Sequence, residues 1–176
     1  MTPQKIQINR APVMALWAAV VAERLGFDKG EALSLGKVVT GLNAQAKGQR
    51  LGIFDPAEEK GEKARQRKPD EKFSVEILGR PVPVVNTNQG IRAITKDKPV
   101  DPDSVQRYLE KKFGEALSDV RAAMEDLAGS YKPEQLARRA YALYEQFRPE
   151  IPEGKKGWGA AGDLDLERIR SLGENQ

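Results

Sequence analysis

Residues 157–162 read Gly-Trp-Gly-Ala-Ala-Gly, which is the G-x-G-x-x-G spacing that binds the pyrophosphate of dinucleotide cofactors. That chemistry needs a strand before the glycines and a crossover helix after them, so that the phosphates meet the helix N-terminus. Here a proline-rich loop precedes the glycines, and too few residues follow them for such a unit. We therefore expect a flexible loop that lets Trp158 fold onto the core or onto a partner, and no cofactor.

Two further patterns resemble sites only in their spacing. Asp163, Asp165 and Glu167 alternate as calcium ligands do, but leucines interrupt them and the glycine that such a loop requires is missing. We expect these acids to lie at a helix N-terminus, where negative charge is favourable. Ser34 and Lys37 fit the S-x-x-K pair of some hydrolases, but the motifs that accompany it are missing.

The most informative feature of the composition is the lack of cysteine and histidine among the 176 residues. This excludes disulfides, thiolate nucleophiles, Ser–His and Cys–His dyads, and zinc or haem sites built on these ligands. No set of carboxylate, lysine, tyrosine or serine residues converges in the sequence. We therefore predict a non-enzymatic protein with no catalytic residues and no metal site.

Charge is distributed unevenly along the chain. Residues 1–100 carry 17 basic and 11 acidic side chains, whereas residues 101–176 carry 12 and 15. The pI is about 9.1. A basic half suits a surface that faces a polyanion such as DNA, or one that associates with the acidic half of a second copy.

The apolar run 11–22 follows Lys5 and Arg10, as it would in a secretory signal. It is shorter than the roughly 20 apolar residues that span a membrane. Because the run continues into Glu23 and Arg24, we expect a folded helix over 11–25 in a cytoplasmic protein that does not interact with membranes.

The next helix is expected to begin after Asp28, which forms an Asp-x-x-Glu capping box with Glu31. Residues 18–37 form a pattern of two helices joined by a turn. The pattern depends on Val21, Ala22, Leu25, Gly26, Phe27, Ala32 and Leu35. Small residues allow two helices to cross closely, and glycine adopts the left-handed conformation of the turn. On these residues the stretch resembles the helix-turn-helix DNA-binding motif. The alternative is a pair of packed helices joined by a glycine turn.

The resemblance implies that the helix after Asp28 is the recognition helix. The side chains expected on its outward face are Lys29, Ser34, Lys37, Thr40, Gln45 and Lys47. No acidic residue occurs between Ala32 and Phe54, which suits a helix lying against phosphates. The predicted nucleic-acid contacts are Lys37, Thr40, Lys47, Arg50 and, at the first turn of a β wing, Arg80.

The same helix also suggests contacts with a protein partner. Leu33 is expected to point outward, and Gly41 would allow another backbone to approach closely. Together with Trp17 and Trp158, these residues form a predicted contact surface, most simply for a homodimer.

The remaining chain predicts a small sheet and further helices. Residues 55–72 contain twelve charged side chains, six of each sign, and read as a linker. Apolar residues alternate with polar ones over 73–77 and from Val82 onward, which indicates a three-stranded antiparallel meander over 73–100. Pro81 and Pro83 predict that the second strand lies at an edge.

The acidic half is predicted to be helical. One helix is expected from Asp101 to about residue 128, followed by a second that Pro133 opens and Pro149 stops, and the two should form a hairpin. A short last helix is expected over 164–172.

These elements predict an α+β fold that is mainly α and forms one compact domain. Its regions are an N-terminal helix pair (1–54), a charged linker (55–72), a β meander (73–100), and a helical hairpin with a Gly/Trp tail (101–176). The favoured function is DNA binding by a regulator that contacts phosphates. The alternative is a protein–protein or structural module that binds no nucleic acid.

Overall fold

The computed structural model describes residues 5–45, 71–149 and 161–174. Its helices are α1 (Arg10–Arg24), α2 (Lys29–Gln45), α3 (Pro102–Phe113), α4 (Leu117–Gly129), α5 (Pro133–Phe147) and α6 (Leu166–Glu174). Its strands are β1 (Lys5–Asn9), β2 (Lys72–Ile77), β3 (Arg80–Thr87), β4 (Gly90–Thr95), β5 (Lys98–Pro99) and β6 (Ala161–Asp165). The predicted α+β, mainly helical class is confirmed. Most of the expected linker lies outside the described residues, and Lys72 at its end already begins β2.

Helix α1 lies at the centre of the core. Every residue from Pro12 to Ala22 is buried, because α2, α3, α4 and α5 all pack against this helix. This explains why its sequence is apolar on every side. Trp17 is fully buried: its Nε1 donates to the Ala140 carbonyl at 2.9 Å, and its ring meets Phe147 edge-on. The structure thus corrects the expectation of Trp17 at a partner surface, since the indole fills the chain's own core.

The predicted start of α2 is confirmed. Gly26 takes a φ of 104° in the turn. Asp28 Oδ1 accepts the backbone N–H of Glu31, and Glu31 Oε1 accepts that of Asp28, both at 2.8 Å. The second carboxylate oxygen of Glu31 accepts the N–H of Ile91 in β4 at 2.9 Å. One side chain therefore both caps the helix and ties it to the sheet.

Helix α2 lies between α1 and β4. Ser34 Oγ accepts the N–H of Ala93 at 3.0 Å and donates to the Glu31 carbonyl at 2.8 Å. Buried backbone N–H groups need partners, and Glu31 and Ser34 supply them along β4. Ser34 and Leu33 were expected on the outward face of α2, but both are buried, because the sheet and α3 cover the first turns of this helix.

Strands β2 to β5 form an antiparallel sheet in sequence order, which extends the predicted meander by one short strand. The expectation that β3 lies at an edge is wrong, because β3 pairs with β2 and with β4. Its pairing with β4 covers only Val84 to Thr87, so Pro81 and Pro83 lie where β3 pairs with β2 alone. The prolines, which lack an N–H, thus occupy the half of the strand with one partner.

The acidic half contains a break that the sequence did not indicate. The expected single helix from residue 102 is divided into α3 and α4 by a 3₁₀ turn at Gly114–Ala116. Gly114 takes a φ of 57°, a left-handed conformation that ends α3. Asp101 caps α3 as predicted, with its Oδ1 accepting the N–H of Asp103 at 3.0 Å. Helices α4 and α5 follow each other through a three-residue link, and both pack against α1.

A second, two-stranded sheet joins distant parts of the chain. Strand β1 pairs antiparallel with β6, and Gln7 hydrogen-bonds to Asp163 across the pair. Asp165 then caps α6 by accepting the N–H of Glu167 at 3.0 Å, which confirms the expected position at this helix N-terminus for Asp165 and Glu167. Asp163 was expected there too but lies within β6. Within the described residues, no helix is long and apolar enough to cross a membrane.

Candidate functional site

A groove lies between α2 and α3 on the outside of the core. It encloses a cavity of about 280 Å³, and its lining residues are Ala15, Lys37, Thr40, Ser104, Val105 and Tyr108. The cavity combines apolar walls from Ala15 and Val105 with polar groups at its rim. Apolar walls with a few convergent polar groups are typical of binding sites.

The two helices run side by side in the same direction. A Cβ at Gly30, near the start of α2, would lie 3.5 Å from Pro102 at the start of α3. Further along, Lys37 and Thr40 share the cavity with Ser104 and Tyr108. The cavity therefore lies beyond the contact between the starts of the two helices.

Helix α2 contributes Lys37, Thr40 and Gly41, which share one face because they are three and four residues apart. Lys37 is exposed, so its ammonium group reaches solvent beside the cavity. Thr40 is half-buried, and its hydroxyl donates to the Gly36 carbonyl at 2.8 Å. Its oxygen keeps lone pairs that can accept a further bond. Gly41 is exposed, and a Cβ there would meet no atom within 4 Å, so the space beside this residue is open.

Helix α3 contributes Ser104, Tyr108 and Lys112, which are spaced four residues apart on one face. The Ser104 hydroxyl donates to the Asp101 carbonyl at 2.7 Å. Tyr108 is 37 % exposed, whereas the other large hydrophobic side chains of the described residues are more covered. Lys112 Nζ lies 6.0 Å from the centroid of the Tyr108 ring. This places a second cation beside the groove, at the outer limit of a cation–π contact.

The electrostatics of Tyr108 follow from its position. Partial burial raises the pKa of its phenol above the usual value, because the charged form is less well solvated there. A tyrosine hydroxyl is already neutral at physiological pH at its ordinary pKa of about 10, and this shift does not change that state. The hydroxyl can donate a hydrogen bond to an anion without adding negative charge beside Lys37.

Arg80 does not lie in this groove. It begins β3, pairs with Ile77 in the β2–β3 hairpin, and is only 7 % exposed. The predicted phosphate contact at the tip of a wing is corrected accordingly, since the guanidinium is enclosed by the fold. Lys47, Arg50 and Trp158 lie outside the described residues, so their predicted contacts stay predictions.

Ser104, Tyr108 and Lys112 were missed by sequence reasoning, which placed the site in the basic half alone. The available signal was the i, i+4, i+8 row of polar and aromatic residues beside the buried row of Val105, Leu109 and Phe113. Such a row indicates an exposed helix face. It does not reveal which other helix lies beside it.

The burial of α2 bears on how this helix could meet DNA. In the helix-turn-helix geometry, residues in the first turns of the recognition helix contact base edges. Here all residues from Glu31 to Gly36 are buried. The exposed side chains of α2 on either side of this buried stretch are Lys29 in the first turn and Lys37.

A second cavity, of about 260 Å³, lies between α1 and α4. Its lining residues are Val20, Glu23, Arg24, Glu125, Ala128 and Gly129. Arg121 pairs with both Glu23 and Glu125, and Arg24 donates to the Tyr131 carbonyl at 2.8 and 3.2 Å. These groups bind one another, so we assign no ligand to this cavity.

Acidic residues in the described part of the chain form no group of three or more that could hold a metal ion. Comparison with protein-family models, with curated proteins and with solved structures found no match to this chain.

Proposed function

We propose that this protein is a non-enzymatic DNA-binding protein. It contacts phosphates through the α2–α3 groove and makes no sequence-specific contacts with base edges. One observation carries the proposal: Lys37, Thr40, Ser104 and Tyr108 converge on one open groove. Lysine, threonine, serine and tyrosine are the side-chain types that contact phosphate and sugar oxygens. DNA as the partner is consistent with the cytoplasmic location expected from the sequence.

The charges around the groove support this choice. Lys37 lies on one side, and Lys111 and Lys112 lie in the last turn of α3 on the other, all of them exposed. Helix α2 carries no acidic residue after Glu31, which is buried and caps the helix. A phosphate in the groove would therefore meet lysines from both helices, and its binding would release counterions.

The helix that the helix-turn-helix resemblance identifies as the recognition helix forms one wall of the groove. We do not propose that this helix recognises a DNA sequence through base contacts. With residues 31–36 buried, only Lys29 and Gly30 of the first turns of α2 are accessible, which is too few residues for the usual contact of a recognition helix with base edges. Affinity should therefore depend on charge and salt far more than on DNA sequence.

Fluorescence anisotropy of a labelled random-sequence duplex, titrated at about 50 and about 200 mM salt, tests the proposal. We expect binding that weakens steeply between the two salt concentrations. Lys37→Gln should weaken binding about fivefold and lower the salt slope by about one, as the loss of one phosphate contact does.

Arg138→Gln provides the matched control. It makes the same change in charge on an exposed position of α5, and α5 does not pack against α2 or α3. Binding that is undetectable even at the lower salt, or that falls equally in both variants, would contradict the proposal.

A second candidate function is a protein–protein contact, including the homodimer expected from the sequence. The open space beside Gly41 favours it, because a helix of a partner could approach α2 closely there. With Trp17 and Leu33 in the core, Gly41 is the expected partner contact that the described surface retains. Analytical ultracentrifugation of Gly41→Trp would test this candidate, since a bulky side chain there should dissociate a dimer.

A further inference from the structure

We infer that the α2–α3 groove binds single-stranded nucleic acid, with an unpaired base stacked on the ring of Tyr108 and the adjoining phosphates held by Lys37 and Lys112. This inference rests on the proposed function and specifies its substrate. It starts from an aromatic side chain that the fold leaves partly exposed instead of burying.

Tyr108 is partly exposed, although the apolar residues beside it on α3 are buried in the core. Its neighbours on α3, Val105 and Leu109, are 2 % and 1 % exposed, whereas Tyr108 is 37 % exposed one turn away. The ring forms part of the wall of the cavity that also contains Lys37. An aromatic ring that lines an open cavity offers a flat apolar surface to a ligand.

The surroundings of the ring match what single-strand binding requires. Such sites combine aromatic side chains, on which bases stack, with cations that follow the sugar–phosphate backbone. Lys37 lies on the α2 side of the groove, and Lys112 Nζ is 6.0 Å from the centre of the ring. A nucleotide whose base covers Tyr108 would thus have Lys37 and Lys112 within its surroundings.

Duplex DNA cannot use the ring in this manner. The faces of its bases are stacked on one another, and exposing one requires flipping the nucleotide out at a cost in free energy. A single strand presents unstacked bases without that cost. The cavity of about 280 Å³ also suits one base, not the width of a duplex. Stacking on Tyr108 therefore adds affinity for single strands alone.

The Tyr108 phenol remains compatible with a nearby phosphate. A tyrosine phenol is neutral at physiological pH at its ordinary pKa of about 10, so it does not repel the backbone. The hydroxyl group is not needed for stacking, however, since phenylalanine presents the same ring face. This difference separates stacking from hydrogen bonding in the experiment.

The experiment compares a labelled oligothymidylate strand with a duplex of equal length, at one low salt concentration, by fluorescence anisotropy. The variants are Tyr108→Phe, which keeps the ring, and Tyr108→Ala, which removes it. We expect the wild-type protein to prefer the single strand. Tyr108→Ala should lose about tenfold in single-strand affinity, as the loss of one stacked base does. Tyr108→Phe keeps the ring and loses only a hydroxyl that can bind phosphate, so it should lose clearly less affinity than Tyr108→Ala.

A strand with 2-aminopurine at a central position adds a spectroscopic test, because the fluorescence of this base changes when it stacks. The change should appear with wild type and Tyr108→Phe and disappear with Tyr108→Ala. Thermal unfolding of each variant confirms that the fold is intact. Tyr108 is only partly covered, so Tyr108→Ala should shift the unfolding midpoint less than a substitution of the buried Val105 or Leu109 would.

The outcomes separate this inference from the proposed function. Binding to the duplex that depends on Lys37, with no preference for the single strand, would overturn the inference alone. Equal losses in Tyr108→Phe and Tyr108→Ala would also overturn it, because they would assign the effect to the hydroxyl. No binding to either nucleic acid would overturn both proposals.

Discussion

Glu31 shows how one residue can connect the local and tertiary structure of this protein. Its carboxylate is fully buried and accepts two backbone N–H groups, one from Asp28 at the start of its own helix and one from Ile91 in β4. Ser34, one turn later, accepts the N–H of Ala93. Two side chains of α2 thus accept hydrogen bonds from the backbone N–H groups of Ile91 and Ala93 in β4.

Glu31→Ala is predicted to destabilise the protein by about 3 kcal/mol. The substitution leaves the N–H groups of Asp28 and Ile91 without this acceptor, and each buried unsatisfied group costs about 1–3 kcal/mol. Urea unfolding followed by circular dichroism measures the change. Glu115→Ala, at an exposed site in the 3₁₀ turn, serves as the control and should change stability by less than about 0.5 kcal/mol. Equal effects of the two substitutions would show that the buried carboxylate contributes nothing.

The residue scale also explains the outcome for the predicted contacts. Lys37 and Thr40 line the groove, so their predicted contacts remain possible to test, whereas Leu33, Trp17 and Arg80 are enclosed by the fold. Side-chain type is a reliable guide to what a residue can do chemically. Whether it faces solvent depends on elements that are remote in sequence.

At the scale of elements, the contact between α1 and α2 determines where the groove can form. Gly36 allows the two helices to approach so closely that a Cβ there would lie 2.4 Å from the Ala15 carbonyl oxygen. Because Ala15 also lines the groove, this approach sets the depth of its floor. The helices would have to separate to accommodate any larger residue.

Gly36→Ala is therefore predicted to lower stability by about 2 kcal/mol or more, because its Cβ would collide with backbone atoms that cannot rotate away. Gly41→Ala on the same helix is the matched control, since its Cβ would meet nothing within 4 Å. Replacing a helical glycine with alanine at an open site should raise stability by up to about 1 kcal/mol. Thermal unfolding of both variants measures whether each substitution lowers or raises the stability. A gain of stability in both variants would contradict the prediction, because it would show that helix propensity outweighs the close contact at Gly36.

At the scale of the whole molecule, the pairing of β1 with β6 joins the beginning of the described chain to its end. Strand β6 leads directly into α6, which packs against α4 and α5. Leu164 and Ile169 of this region are fully buried in the same core as α1. The C-terminal segment is thus part of the domain and not an appendage.

Leu164→Ala is predicted to destabilise the protein by about 2–5 kcal/mol, the usual cost of a cavity left by a buried leucine. Leu172→Ala, at a half-buried position on α6, should cost clearly less. Urea unfolding monitored through Trp17 fluorescence, in the background Trp158→Phe, reports directly on the central core. Equal midpoints for Leu164→Ala and wild type would show that β6 does not contribute to cooperative unfolding.

The sequence by itself determined the features that depend on a few neighbouring residues. The Asp28–Glu31 capping box, the turn at Gly26, the cap at Asp101 and the alternating strand β2 were predicted and are confirmed. Each follows from backbone hydrogen bonds or side-chain periodicity within about one or two turns of chain. The α+β, mainly helical class follows from their sum.

Only the tertiary structure decided which of these elements meet and what they cover. Glu31 and Ile91 are 60 residues apart, and Gln7 and Asp163 are 156 residues apart. A local sequence pattern therefore cannot predict either contact. The same is true of the groove, in which Lys37 from the basic half joins Tyr108 from the acidic half. The physical reason is that burial and strand pairing each depend on two surfaces that come into contact. The periodicity of a segment describes only its own surface and not the one that it meets.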